Sequence, residues 1–324
     1  MEVIWLKGDD VEEVLEMGEV IESVESAFHY YGLGRVQMPS KSYLYFDKYN
    51  GDLRTMPAYI PDKDEAGVKI VNSHPQNPSR GLPTVLAIYV LNDPATGKPL
   101  AMMNATYLTD IRTGAGSAVA AKYLARKDSK VLGIIGCGRQ SRTQLAAINE
   151  LFDLEEVLIA DKSREQCDMF IKEMGNKIGV EIKSVDLEEG CTADIITTTT
   201  PVKKPILKSE WIEEGAHINA IGADAPGKQE LEAGILRRAR IVADSREQAY
   251  HSGEINVPLS KGDISREDVY AELGEIVAGK RPGRERDEEI TIFDSTGMAV
   301  QDVAVAALAY RKSVERNMGN RLEY

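Results

Sequence analysis

In HINAIGADAPGKQEL (His217–Leu231) an apolar run stops at Gly222, and a carboxylate, Asp224, follows two residues later, ahead of Pro226 and Gly227. An acid just past the carboxyl end of a buried strand stands where a ligand of a parallel sheet would lie. It is equally a residue that opens a turn such as Asp-Ala-Pro-Gly. A second group suited to proton transfer is Lys69, in GVKIVN (Gly67–Asn72). Strand alternation puts Val68 and Ile70 on one face and Lys69 with Val71 on the other. An amine between apolar neighbours is desolvated, which lowers its pKa; a solvated lysine on a half-exposed sheet is the alternative. Lys41 in PSKSY, Arg54 in DLRTMP and Arg112 in TDIRTGAG are isolated cations able to hold a small polar substrate.

VLGIIGCGRQSRTQLAAI (Val131–Ile148) reads as strand, glycine-rich turn and helix. Gly136 permits the tight turn and Gly138 lets the backbone approach a pyrophosphate. Arg139 and Gln140 open the helix, whose free N–H groups and positive dipole end face the anion. Ser141 stands where the third glycine of G-x-G-x-x-G would be, small enough for close packing. A second strand, EVLIAD, ends in Asp161, 23 residues beyond Gly138. An acid there accepts hydrogen bonds from the adenosine ribose and repels a 2′-phosphate. NAD is therefore expected over NADP, although Lys162 and Arg164 blur the preference. Lys162 and Ser163 join the candidate cofactor contacts.

The elements that must position these groups fall into two textures. Residues Asp9–Tyr31 read as one amphipathic helix, stopped by Gly32–Gly34. SYLYF (Ser42–Phe46), LRTMPAYI (Leu53–Ile60), GVKIVN and TVLAIYVL (Thr84–Leu91) follow as strands without intervening helices, which predicts an antiparallel or mixed sheet. An Ala/Gly-rich helix spans Tyr107–Leu124. From Lys130 onward, apolar runs alternate with helix-length segments: VLGIIG, EVLIAD, VEIKSV, ADIITTT, HINAIG, RIVAD and ITIFD. That alternation is the mark of a doubly wound parallel sheet. Met298–Asn317 reads as a helix that returns to the first half. The expected class is α/β, with a substrate and dimerisation domain at 1–126 completed by 299–324, and a dinucleotide-binding Rossmann domain at 127–298.

With 324 residues, 43% hydrophobic and 28% charged, the composition is that of a globular protein of two domains. A net charge of −13 supplies no phosphate-neutralising face and argues against nucleic acid as a partner. No signal peptide or membrane-length apolar run is read, and a cytoplasmic setting is expected. Three cysteines without a C-x-x-C pair suit reducing surroundings. Cys137, inside the phosphate turn, is a candidate for sensitivity to thiol reagents. The four histidines show no metal-ligand spacing, so no metal is expected.

Together GVKIVNSHPQNPSRGLPT, DIRTGAGSAVAAKYLA, GIIGCGRQSRTQL, ADIITTTTP, HINAIGADAPGKQEL, GEI (Gly253–Ile255) and ITIFDSTGMAVQD resemble the ornithine cyclodeaminase/mu-crystallin family, most closely its archaeal alanine dehydrogenase branch. The resemblance spans nearly the whole chain. It implies a homodimer in which Asp224 is the acid/base at the substrate amine and Lys69 shares proton transfer. Lys41 and Arg112, joined by Arg54, bind the substrate carboxylate. Arg112, Thr113, Gly136, Gly138, Arg139, Gln140, Asp161, Thr198, Thr199, Ala220, Ile221 and Ser295 surround the cofactor. Ornithine cyclodeaminases resemble one another in a glutamate where this chain has Arg54. A carboxylate pairs with the second ammonium of ornithine and an arginine repels it. The implied reaction is NAD-dependent oxidation of L-alanine to pyruvate and ammonia. A cyclodeaminase, a ketimine reductase and a non-enzymatic binding protein are the rival readings.

Overall fold

The computed structural model describes residues 1–323. They form two compact units, one made of the segments up to Arg112 and from Met298 onward, the other of Thr113–Gly297. In the first unit β1 (Glu2–Leu6), α1 (Gly8–Val14) and α2 (Met17–Gly32) precede β2 (Ser42–Phe46), β3 (Gly51–Ile60), β4 (Glu65–Ser73), β5 (Val85–Asn92) and β6 (Pro99–Asn104). Strands β2 to β6 run as an antiparallel meander. β1 joins β6 in parallel, and the C-terminal strand Asn320–Glu323 closes the other edge of β1, giving a mixed seven-stranded sheet.

The helix expected over Asp9–Tyr31 is two helices. Leu15 and Glu16 are extended, with ψ of 120° and 134°. Apolar spacing does not reveal such a break, because both pieces keep the same buried stripe: Val11, Val14, Leu15, Val20, Ile21 and Val24 are all buried. The break leaves the Glu16 carboxylate within 3.3 Å of Lys312 Nζ, on the C-terminal helix Ala299–Glu315, and 3.0 Å from Arg316, which caps that helix. That helix covers β3 and β4 and lies along α2. Its Ala-rich surface allows the close approach, and eleven of its residues are buried.

Cross-strand register puts Arg54 opposite Val71, and Lys69 opposite both Met56 and Tyr89. These side chains therefore share the helix-covered face. The opposite face carries Leu44, Ile70, Leu86 and Ile88, which are 36–61% exposed. A solvated antiparallel face normally alternates to polar residues, and this one does not.

In the second unit β7 (Val131–Ile135), β8 (Glu156–Ala160), β9 (Glu181–Ser184), β10 (Ile195–Thr198), β11 (His217–Ala220), β12 (Ala239–Ala243), β13 (Val269–Glu272) and β14 (Ile290–Asp294) form one sheet. Its order is β13-β12-β14-β11-β10-β7-β8-β9, with every pair parallel. The order reverses between β7 and β10, so the crevice beyond their carboxyl ends is the topological switch point. β13 has no counterpart among the apolar runs, because half-buried Tyr270 and Glu272 interrupt it. The division between the units falls within α3 (Ala105–Leu124), earlier than the boundary expected at residue 126. The later turns of this helix belong with the second sheet: a side chain at Gly114 would overlap the Thr143 carbonyl, and Leu124 O accepts from Thr291 Oγ1 at 2.8 Å.

Gly133 lies in the middle of β7, where a β-carbon would overlap the carbonyl oxygen of Gly190. Gly133→Ala is expected to cost about 1–3 kcal/mol of stability. A denaturation midpoint equal to that of the parent would show that this strand yields where the packing says it cannot.

Candidate functional site

The first cluster lies on the helix-covered face of the mixed sheet. Lys69 Nζ donates to Asp302 Oδ1 at 2.8 Å, and Arg112 Nε donates to the same oxygen at 2.8 Å. Arg112 also reaches Gln301 Oε1 at 3.3 Å. Lys69 is 1% exposed and Asp302 fully buried, so this ion triad is shielded from water. Burial drives the Lys69 pKa down to about 7; the Arg112 charge adds to the fall and Lys41 contributes a smaller part, while Asp302 opposes it. A lysine in that state exchanges its proton near neutral pH. The phenol of Tyr89, opposite Lys69, is fully buried and its pKa is raised by burial and by the Asp302 and Glu65 charges.

Arg54 shares this face but is engaged locally. Its Nε and a terminal nitrogen meet the two oxygens of Asp52 at 2.8 and 3.1 Å, and its guanidinium lies 5.5 Å from the Tyr43 ring centre. Asp302 was not among the sequence candidates. Its signal is a lone carboxylate in the first turn of an Ala/Val-rich helix, beside Gln301.

The second cluster lines the carboxyl edge of the parallel sheet. Gly136 has φ of +99°, and a β-carbon there would come within 2.8 Å of Thr200 Cγ2. Both restrictions require glycine. Gly138 has open space where a side chain would project, so its backbone is approachable. Ser141 is fully buried and donates to Gly138 O at 2.5 Å, so the missing third glycine is met by a hydroxyl that braces the turn. Arg139 and Gln140 open α4 (Arg139–Leu151). Asp161 accepts from Cys137 N and Ser163 N, both at 2.8 Å, fixing its carboxylate between the turn and the start of α5 (Arg164–Ile178). Lys162 is exposed, and Thr113 and Ser295 are buried.

Thr199 Oγ1 donates to Gly136 O at 2.8 Å, tying β10 to the glycine turn after β7. Ile221 N and Ser295 N bond the carbonyls of Thr198 and Ala220, so the three loops leave the sheet in register. Asp224 lies beyond β11 with its side chain 42% exposed, paired with Lys228 Nζ at 2.5 Å. Lys228 also meets Gly222 O at 3.3 Å.

Beneath these loops lies Glu230, fully buried and also absent from the sequence candidates. It accepts from Thr198 Oγ1, Thr200 N and Thr200 Oγ1 at 2.7 Å, and from Gly222 N at 2.8 Å. Burial raises its pKa while these four donors oppose the rise. Glu254 accepts in turn from the backbone of Glu230 and Leu231, and Asp294 from that of Glu254 and Ile255. Burial pushes Asp294 up to about 8.

His217 is a structural side chain. It is held between Thr291 and Asn219 and is driven down to about 3, chiefly by burial. Cys137 is buried 3.8 Å from the Cys167 sulfur, and burial raises its thiol pKa, which opposes the reactivity expected from its place in the turn. Among the described residues no group of His, Cys, Asp and Glu is arranged to hold a metal, and no helix is long and apolar enough to cross a membrane.

The family model of the ornithine cyclodeaminase/mu-crystallin family matches residues 1–317, and the chain belongs to that family. It is 52% identical to an alanine dehydrogenase of Archaeoglobus fulgidus over 324 residues, covering 100% of this chain and 99% of that protein. Among solved structures, an archaeal alanine dehydrogenase dimer with bound NAD superposes with a TM-score of 0.97 at 52% identity, over the full length of both chains. The Thermococcus litoralis Δ1-pyrroline-2-carboxylate reductase, in complex with NADH and L-proline, superposes with a TM-score of 0.96 at 42% identity, covering 98% of this chain and 99% of that one.

Glu230 ties the ends of β10 and β11 together with one carboxylate. Glu230→Gln puts an NH2 group against part of its donor set and is expected to cost roughly 1–3 kcal/mol. The denaturation midpoint should fall and dinucleotide affinity, followed by fluorescence titration, should weaken with it. Parent values for both would mean that the loops do not depend on this carboxylate.

Proposed function

We propose that this chain is an NAD-dependent L-alanine dehydrogenase, reversibly converting L-alanine to pyruvate and ammonia, and that it works as a homodimer. The observation that carries the reading is end-to-end similarity, at 52% identity, to an alanine dehydrogenase with bound NAD. Gly136, Gly138 and the first turn of α4 suit the pyrophosphate. Asp161 suits the adenosine ribose and disfavours a 2′-phosphate. Thr113, Arg139, Gln140, Lys162, Ser163, Thr198, Thr199, Ala220, Ile221 and Ser295 complete the proposed cofactor contacts. Bound NAD supplies the acceptor for the hydride leaving the amino-acid Cα.

The chain's own groups do the rest. Arg112 offers its planar fork to the substrate carboxylate, with Lys41 and Arg54 adding positive charge. Fixing the carboxylate fixes the direction of the Cα–H bond, a positioning effect. Oxidation needs a proton taken from the substrate ammonium and a second taken from the water that attacks the iminium. Lys69, with its pKa near 7, is neutral for a large part of the time at physiological pH and can accept either. Asp224 is the other acceptor, held by its ion pair with Lys228.

A second reading, reduction of a cyclic imine acid such as Δ1-pyrroline-2-carboxylate, is favoured by the similarity to the Thermococcus enzyme. Cyclodeamination of ornithine is disfavoured by Arg54, which repels a second ammonium.

A panel of amino acids with NAD and with NADP, followed for reduced nicotinamide and ammonia together, separates these readings. L-alanine should give equal amounts of both, with NAD preferred. Ornithine yielding ammonia without net NADH would select cyclodeamination. Oxidation of NADH by Δ1-pyrroline-2-carboxylate, without activity on alanine or pyruvate, would select the reductase. For alanine oxidation kcat/KM should rise with pH through a limb near 7, because Lys69 accepts a proton only once deprotonated. Asp224→Ala should remove most turnover and leave NAD affinity within about twofold; full turnover would exclude Asp224 as an acid/base. The apolar sheet face of Ile70, Leu86 and Ile88 suits a second copy. Ile88→Lys should convert a dimer to monomer in light scattering, and an unchanged dimer would place the interface elsewhere.

A further inference from the structure

We propose that Asp302 is the positioning residue of the substrate site: its Oδ1 fixes Lys69 Nζ and Arg112 Nε to a common point, so one carboxylate sets both the aim of the carboxylate-binding guanidinium and the charge state of the proton-transferring amine. The inference rests on the alanine dehydrogenase reading for what Lys69 and Arg112 do, and on geometry alone for their coupling.

Both bonds are 2.8 Å long and end on the same oxygen. Lys69 comes from β4, Arg112 from α3 and Asp302 from the C-terminal helix, so three elements converge there. The two cations repel each other, and only a carboxylate between them makes that approach tolerable in a site without water. Gln301, the neighbour of Asp302, accepts from Met298 N at 2.9 Å and from Arg112. The helix start that carries Asp302 is thereby fixed, and the Asp302 carboxylate with it. The other oxygen, Oδ2, is buried with no hydrogen-bond partner among the described residues.

The other charged or titratable groups around Lys69 cannot take over the role. Lys41 and Arg54 are cationic, and Arg54 already holds Asp52. Tyr89 is held in its neutral form by burial. Glu65, on the strand of Lys69, is paired with Arg311 at 2.7 Å. Asp302 is thus the one of these groups that both offsets the Arg112 charge at Lys69 and bonds the two cations. It differs from a catalytic residue in acting through its two partners.

The sign of the effect is fixed by charge. A nearby anion favours the ammonium form, and its removal favours the neutral amine. In Asp302→Asn the alkaline-rising limb of kcat/KM should therefore move to lower pH by about one unit. KM for alanine should rise as Arg112 loses its anchor, and kcat/KM at the optimum should fall by about 100-fold. Asp302→Glu keeps the charge and should return the limb towards the parent pH without restoring kcat. Affinity for NADH should stay within about twofold in both variants, as Arg112 is one of many residues proposed around the cofactor.

The coupling is also read without turnover. In protein labelled with 15N at lysine side chains, the Lys69 Nζ resonance, identified by its loss in Lys69→Met, should titrate at lower pH in Asp302→Asn than in the parent. If Asp302→Asn does not fold, Asp302→Glu carries the comparison: Lys69 should titrate close to the parent while KM for alanine rises, and a parent KM would overturn the proposal. In Asp302→Asn, an unmoved limb and an unmoved Lys69 titration would overturn it. A parent inactive on alanine, with the titration shift still present, would overturn the activity reading and leave Asp302 in its role.

Discussion

A charge removed from water must be met by charge or by directed dipoles, and both units of this chain are arranged by that constraint. In the first, Asp302 lies at 0% exposure between two cations on one oxygen. In the second, Glu230, Glu254, Asp294 and Asp244 lie buried along the carboxyl edge of the parallel sheet, each accepting backbone N–H groups from loops that leave the strands. Loop amides with no strand to pair with are satisfied by these carboxylates instead of by water. The surface on which a ligand would rest is consequently fixed from below.

The two halves use this device to opposite ends. At the carboxyl ends of β10 and β11, Glu230 meets four donors, and the result is rigidity: one carboxylate ties Thr198, Thr200 and Gly222 together. Around Lys69 the donors are cations, and the result is a poised proton affinity. A fully solvated lysine would stay charged through the physiological range, and a lysine with a carboxylate to itself would do so more firmly. Burial is the main cause of the lowered proton affinity of Lys69, and the charge of Arg112, which shares Asp302 with it, lowers that affinity further.

Much of the second unit was legible because its signals are local. Gly136, Gly138, Ser141 and the strand before them lie within a few residues, and Asp161 closes the next strand. Both sheets followed from the strand patterning, whereas alternation put Lys69 on a face with Val71 and left its burial open. What was not legible depends on partners far along the chain or on half-buried strands. Asp302 meets Lys69 across 233 positions, and the lone acid of MAVQD does not say which partner it meets. Glu230 looks like a surface residue of PGKQEL until the ends of β10 and β11 are seen to converge on it. β1, β6 and β13 are short, and β6 begins on Pro99. The break at Leu15 is invisible to periodicity because both helices keep the same stripe.

The second unit is one uninterrupted segment, Thr113–Gly297, whereas the first is assembled from the two sides of it. During synthesis the parallel sheet can close as soon as its own residues have emerged, since domains fold as units from the amino-terminal side. The mixed sheet cannot be completed then. Its covering helix and the strand that flanks β1 have still to be translated, and with that helix comes Asp302, the carboxylate that Lys69 and Arg112 share. The parallel sheet is thus complete in sequence before the mixed sheet is.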